Sequence, residues 1–214
     1  MANRSTSGFG LRMAMKLGNS PAVSGQSKYA IKSGLGVGIF KGNPASIQLA
    51  GDTGYIQDSA FSTTDDGNDG GIDFTTANDA LLVGVHNGVF YIDGTTSKPT
   101  FANSVAASTT FGTNPNTNST DGVAFVNDDP DQEYVVKADA AVGQAIFGLC
   151  GNINDFAAGD AKDGASTATF DSGTQGETKM FRIVRSAEDP DNEDLTVAGA
   201  NIIVVINAAA NTYR

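Results

Sequence analysis

The sequence predicts an all-β protein: a β-barrel or β-sandwich body carrying an extended N-terminal arm and long polar loops. Three observations lead there. Val, Thr, Gly, Ala and Asn abound while Trp is absent, and β-branched residues fit a pleated surface as Gly and Asn supply turns. Apolar runs are short and separated by polar, turn-rich stretches, the pattern of many small strands rather than of helices. Finally, residues 1–50 hold six basic side chains and no acid, whereas residues 51–214 carry the other seven bases and all 24 acids. That split predicts two parts, a basic arm over 1–50 with short strands and an acidic barrel or sandwich body over 51–214.

Taken in order, residues 1–28 mix isolated apolar groups with small polar ones and read as an extended segment that packs poorly on itself. Phe9, Leu11, Met13 and Met15 alternate with Gly10, Arg12 and Ala14, and a period of two fits a strand lying on a surface. Such an arm is expected to gain order only against another molecule, with Arg4, Phe9, Leu11, Arg12, Met13 and Lys16 as its anchors. Residues 29–50 suggest two short strands joined through Ser33-Gly34. Between 51 and 80 the turn formers, including TTDDGNDGGID, predict a loop that buries little apolar area.

ALLVGVHNGVFYID gives the strongest hairpin pattern, with Leu81, Leu82, Val83 and Val85 on one strand, His86-Asn87-Gly88 at the reversal and Val89–Ile92 returning. One long bulged strand is the alternative, because Asn-Gly also serves at bulges. Residues 94–121 form a polar insertion anchored by Phe101 and Phe111. A second hairpin is expected between Val123–Val126 and Tyr134–Lys137, turned at Asp128-Asp129-Pro130-Asp131, since Pro cannot donate to a ladder. The Ala-rich stretch that follows allows one short helical turn, no more, because Gly143 and Gly148 oppose a long helix. Phe181–Val184 and Ile202–Ile206 read as core strands, the latter apolar without alternation and so covered on both faces. NDDPDQEYVV and AEDPDNEDLTV share an Asp-Pro-Asp turn, which common turn chemistry explains.

Composition also excludes functions. A net charge of −11 disfavours a nucleic-acid surface, which needs clustered Lys and Arg. The lone Cys150 rules out an intramolecular disulfide and reads as a small buried hydrophobe. No apolar run is long enough for a membrane span, and no secretory leader stands out, so a soluble protein made in the cytoplasm is expected. His86 is the only histidine, which leaves no multi-His metal site and no recognisable triad. GLGVGIF at Gly34–Phe40 has the wrong glycine spacing for a dinucleotide loop. Asp65, Asp66, Asn68, Asp69 and Asp73 could bind a cation weakly, yet the Glu and flanking helices of an EF-hand are missing. No cofactor and no enzymatic activity are expected.

Several strings taken together carry a resemblance: the opening MANR followed by FGLR, then VGVHNGVFYIDGTTSKPTF, DGVAFVNDDPDQEY and the closing VVINAAANTYR. In this order the chain resembles capsid decoration, or cement, proteins of tailed bacteriophages. The resemblance implies a β-rich virion protein on the capsid exterior, without an active site, that binds the major capsid protein and stabilises the head. It also implies a homotrimer, because such proteins often sit at three-fold positions. The arm would then tie subunits together by strand addition. A receptor- or glycan-binding module of a phage tail or fibre is the alternative.

Overall fold

The computed structural model describes residues 3–18, 20–21, 25–47, 54–58, 82–154, 159–177, 179–208 and 211–213. Among them fourteen strands form: β1 Arg12–Lys16, β2 Gln26–Ile31, β3 Ile39–Phe40, β4 Pro44–Ile47, β5 Ile56–Asp58, β6 Leu82–Ile92, β7 Pro99–Ala102, β8 Ser104–Val105, β9 Gly122–Asn127, β10 Gln132–Lys137, β11 Cys150–Asn154, β12 Thr169–Gln175, β13 Phe181–Ser186 and β14 Asn201–Ile206. One 3₁₀ turn, Gln144–Ile146, is the short helical turn anticipated between the two glycines. The protein is all-β, as its composition predicts. Asp65, Asp66, Asn68, Asp69, Asp73 and Leu81 lie outside the described residues.

The strands pair antiparallel in two six-stranded sheets and one two-stranded ribbon. The first sheet runs β1-β10-β14-β13-β11-β12. The second runs β2-β9-β6-β4-β5, with β7 also on β6, and β3 pairs with β8. The sheets curl toward a half-barrel. Two apolar clusters fill them. The larger joins Tyr134, Phe170, Phe181, Ile183, Ile202, Val204 and Ile206 of the first sheet to Leu82 and Val85 of β6. The smaller packs Ile31, Val83, Val89, Ala124 and Val126 of the second sheet under Ile39 and Val105 of the ribbon, with Phe111. Every residue of β14 is buried, because Ile202, Val204 and Ile206 enter the core while Ile203 and Val205 lie on the other face. There they pair with Val135, Arg185, Glu133 and Arg182 across the two ladders.

Four expectations change. Residues 82–92 form one strand: the register against β9 slips between His86 and Gly88, so Asn-Gly makes a bulge and not a reversal. The φ of Gly88, 149°, is open to glycine and strained for other residues. The Val123–Val126 and Tyr134–Lys137 strands do not pair; the Asp-Pro-Asp turn carries the chain from the second sheet to the first, and the Tyr134 hydroxyl bonds back to the Asn127 carbonyl at 3.1 Å. Likewise β2 and β3 part into different sheets beyond Ser33-Gly34, Ile39 pairing with Val105.

The fourth concerns the arm. The described strands of this segment are woven into the body: β1 is an edge strand on β10, β2 an edge strand on β9, and β4 is hydrogen-bonded between β5 and β6. A boundary at residue 50 would cut the β4–β6 ladder. Backbone pairing supplies what the sparse apolar residues of this segment do not, and it is invisible in composition.

Candidate interaction surface

Each of the six residues anticipated as anchors has a contact within its own chain, though Arg4 and Arg12 stay exposed. Leu11 is buried in the larger core and Met13 packs against it. Arg4 donates its backbone N–H to the Asp191 carbonyl at 3.0 Å and its guanidinium to the Asp191 carboxylate at 2.9 Å. Lys16 is ion-paired to Asp129. The Phe9 ring lies 4.2 Å from the Arg12 guanidinium carbon and 5.6 Å from Lys137 Nζ, a cation–π pair of contacts on the outer side of the first sheet. Glycines let the segment sit this close: a Cβ on Gly8 would lie 2.0 Å from the Thr167 carbonyl oxygen. What remains outward on this edge is Arg12, with Met15 and Leu17 about half exposed.

A different surface presents unsatisfied apolar area. Val85 pairs with Asn127, Gly88 with Phe125 and Phe90 with both Val123 and Phe101, so these side chains share one face of the second sheet. Around Leu82 and Val85 that face is covered by the first sheet. Further along it lies open. Phe101 is 74% exposed, and its ring stands 4.5 Å from Phe90 and 6.5 Å from Phe125, the latter nearly parallel at 20°. Phe101 does not anchor the insertion as expected: β7 holds it by its backbone and leaves its ring exposed.

Beside the rings is a cleft of about 360 Å³ lined by Phe101, Phe125, Asn87, Asn103 and Gly88. Gly88 forms its floor, since a side chain there would project from the same face as Phe125. Asn87, at the bulge, also lines the cleft. Among the described residues no carboxylate, lysine or arginine lines the cleft, so it offers stacking and neutral hydrogen bonding. Lys28, exposed and paired with Phe125 across the β2–β9 ladder, puts one positive charge beside it.

Elsewhere the polar groups serve local structure. The Tyr29 hydroxyl donates to Asp128 at 2.8 Å and also meets the Tyr213 hydroxyl, tying the last described residues to β2. Burial first, then these partners, raise the Tyr29 pKa well above the ordinary phenol value. Among the described residues no group of three or more His, Cys, Asp or Glu side chains is placed to hold a metal ion, and no helix is long and apolar enough to cross a membrane. No family model, curated protein or solved structure matches the chain. The aromatic face escaped the sequence reading because its rings come from three strands. One sign was present: GVAFVN is apolar in both phases, which asks for a cover on each side.

Proposed function

We propose that the chain is a structural virion protein that binds the outer surface of the major capsid lattice through the aromatic face of its second sheet. The observation that carries this reading is the cluster of Phe90, Phe101 and Phe125 with Phe101 three-quarters exposed. Contiguous exposed aromatic area marks interaction sites, and aromatic residues are enriched where protein interfaces bury their centres. The resemblance to cement proteins supplies the partner class. The interface moves from the N-terminal segment, which is occupied by its own body, to this face. A homotrimer belongs to the proposal, with subunit contacts adding burial that the small second core lacks.

Phe101→Ser tests it, because an exposed ring can be removed without opening a cavity. Co-sedimentation with purified phage heads lacking the protein should show binding by the native chain and at least about a tenfold loss in the variant, the scale of one interface hot spot. Native chain that ignores the heads, or a variant that binds them equally well, would refute the reading.

The cleft supports a second reading, a glycan-binding module. A sugar ring can stack its apolar side on Phe101 or Phe125 while hydroxyls meet the Asn87 side chain, the Asn103 amide nitrogen being held by the Asp163 carbonyl. Retention of the native chain on host-surface polysaccharide, abolished by Phe101→Ser and absent on heads, would favour it.

A further inference from the structure

The paired Asp-Pro-Asp segments are built as the same turn. In the first, Asp131 N–H donates to Asp129 Oδ1 at 3.0 Å and Gln132 N–H to the Asp129 carbonyl at 3.1 Å. In the second, Asp191 N–H donates to Asp189 Oδ1 at 3.1 Å and Asn192 N–H to the Asp189 carbonyl at 2.9 Å. A lysine approaches each. At the first it is Lys16, which pairs with the Asp129 carboxylate, while the Gln132 amide turns away to the carbonyls of Met15 and Glu133. At the second it is Lys137, and its neighbour is an amide.

Lys137 is 3% exposed and Asn192 8%. Lys137 Nζ lies 3.4 Å from Asn192 Oδ1 and 2.8 Å from the Ser5 carbonyl oxygen, which aims the amine at the side-chain amide. Ser5 N–H donates to that same Oδ1 at 3.2 Å. Asn192 Nδ2 donates to Asp189 Oδ2 at 3.2 Å. The amide carbon is thereby set between an amine, a backbone donor on its oxygen and a carboxylate on its nitrogen. Those are the parts that acyl transfer requires: an amine in contact with the amide, a donor where negative charge develops and a carboxylate beside the leaving group.

We propose that Lys137 and Asn192 become joined by an intramolecular isopeptide bond. Asp189, which acts on Lys137 by its charge and not by contact, takes a proton from the Lys137 ammonium through one intervening water, and the neutral Nζ attacks Asn192 Cγ. As the new C–N bond forms, negative charge develops on Oδ1, where Ser5 N–H receives it. Asp189 then relays a proton from the attacking nitrogen to Nδ2, the Cγ–Nδ2 bond breaks, and ammonia leaves, carrying away the proton first taken as ammonium. An alkylammonium and a primary amide thus give a secondary amide and an ammonium ion, with no oxidant, metal or cofactor consumed.

The surroundings favour the neutral amine and an ionised carboxylate before the step, although a carboxylate stabilised in this way is a weaker proton acceptor. Burial lowers the Lys137 pKa, the positive charge of Arg12 pushes the same way, and Asp189 opposes both. The backbone N–H of Asp191, then the Asn192 and Asn201 amides, hold Asp189 below the usual carboxylate range and so in its basic form. At the Lys16 turn the lysine meets a carboxylate and not the amide, so the same chemistry has no electrophile there.

The bond would tie the end of β10 to the β13–β14 connection, with the segment around Ser5 completing the site. Intact-mass spectrometry of the denatured full chain reads it directly. The native chain is expected to be lighter than its sequence by one ammonia, and a protease digest to contain one branched peptide joining Lys137 to Asn192. Lys137→Arg and Asn192→Ala should each return to full sequence mass, as should Asp189→Ala, which keeps amine and amide and loses the base. Native chain at full sequence mass after folding at neutral and mildly alkaline pH, or a deficit that persists in Lys137→Arg, would overturn the proposal. The native measurement needs no variant to fold.

Discussion

A buried charge fixes its partner, and Glu133 shows how strongly. It sits fully buried on β10, where Arg185 of β13 holds both its oxygens, Nη1 to Oε1 at 2.8 Å and Nη2 to Oε2 at 2.6 Å. Arg185→Met would leave that carboxylate unpaired in a dry setting. The expected cost is about 2–4 kcal/mol in urea unfolding, below the full penalty for a buried pair because the arginine side chain is 37% exposed. Arg4→Met removes an open pair at 2.9 Å, 77% and 59% exposed, and should change stability by less than about 0.5 kcal/mol. Equal effects from the two would contradict this ranking. Acid should act through the turns. Backbone N–H groups, chiefly that of Thr96 for Asp93 and of Asp191 for Asp189, and the Thr196 hydroxyl for Asp194, lower these three pKa values. A depressed folded pKa gives stability that is present above the unfolded value and lost as pH falls through the folded one. Thermal melts should therefore be flat near neutrality and fall from about pH 5 downward; a midpoint unchanged to about pH 3 would contradict it. The Asp-Pro-Asp turn that holds Asp189 was legible in the sequence, while the Glu133–Arg185 pair joins strands 52 residues apart and left no local trace.

At the scale of elements, legibility followed how much of a strand's fate was local. β14 was plain because five consecutive apolar residues need cover on both faces, and they have it. β6 was misread at its centre because Asn-Gly serves reversals and bulges alike, and only the partner strand decides between them. That partner leaves another mark on β6. A Cβ at Gly84 would lie 2.0 Å from the Asn127 carbonyl oxygen, a backbone atom that cannot swing aside. Gly84→Ala should therefore pry β6 from β9 and cost about 3 kcal/mol, at the upper end of overpacking penalties, or prevent folding. An alanine variant that melts with the native chain would show that the two strands are less tightly joined than described. The β9–β10 connection teaches the same lesson: turn chemistry specifies that the chain reverses, and the two cores specify that it reverses into another sheet.

At the scale of the molecule, the N-terminal segment decides whether the protein is a body with an arm or one interlocked unit. The alternation of Phe9, Leu11, Met13 and Met15 announced a strand on a surface, and β1 is that strand for Met13 and Met15 only, with Phe9 and the core residue Leu11 ahead of it; which surface was beyond reach, because its contacts span more than a hundred residues. Asn3 bonds the carbonyls of Asp194 and Ala198, Ser5 receives Lys137, Gly10 N–H reaches the Ala168 carbonyl and Leu11 N–H the Gly42 carbonyl. A free arm would be removable without effect. Deleting residues 1–11 should instead take Leu11 from the core, strip the cover from Lys137 and expose the outer side of the first sheet. Losing the leucine alone is worth about 2–3 kcal/mol, so the truncated chain should melt at least about 5 °C below the native one in calorimetry. Leu11→Ala, which keeps the backbone contacts, should recover part of that difference and so separate burial from strapping. If the truncated chain melted with the native one, residues 1–11 would be dispensable to the body and free to reach a neighbour, and the aromatic face would lose its claim as the principal docking surface.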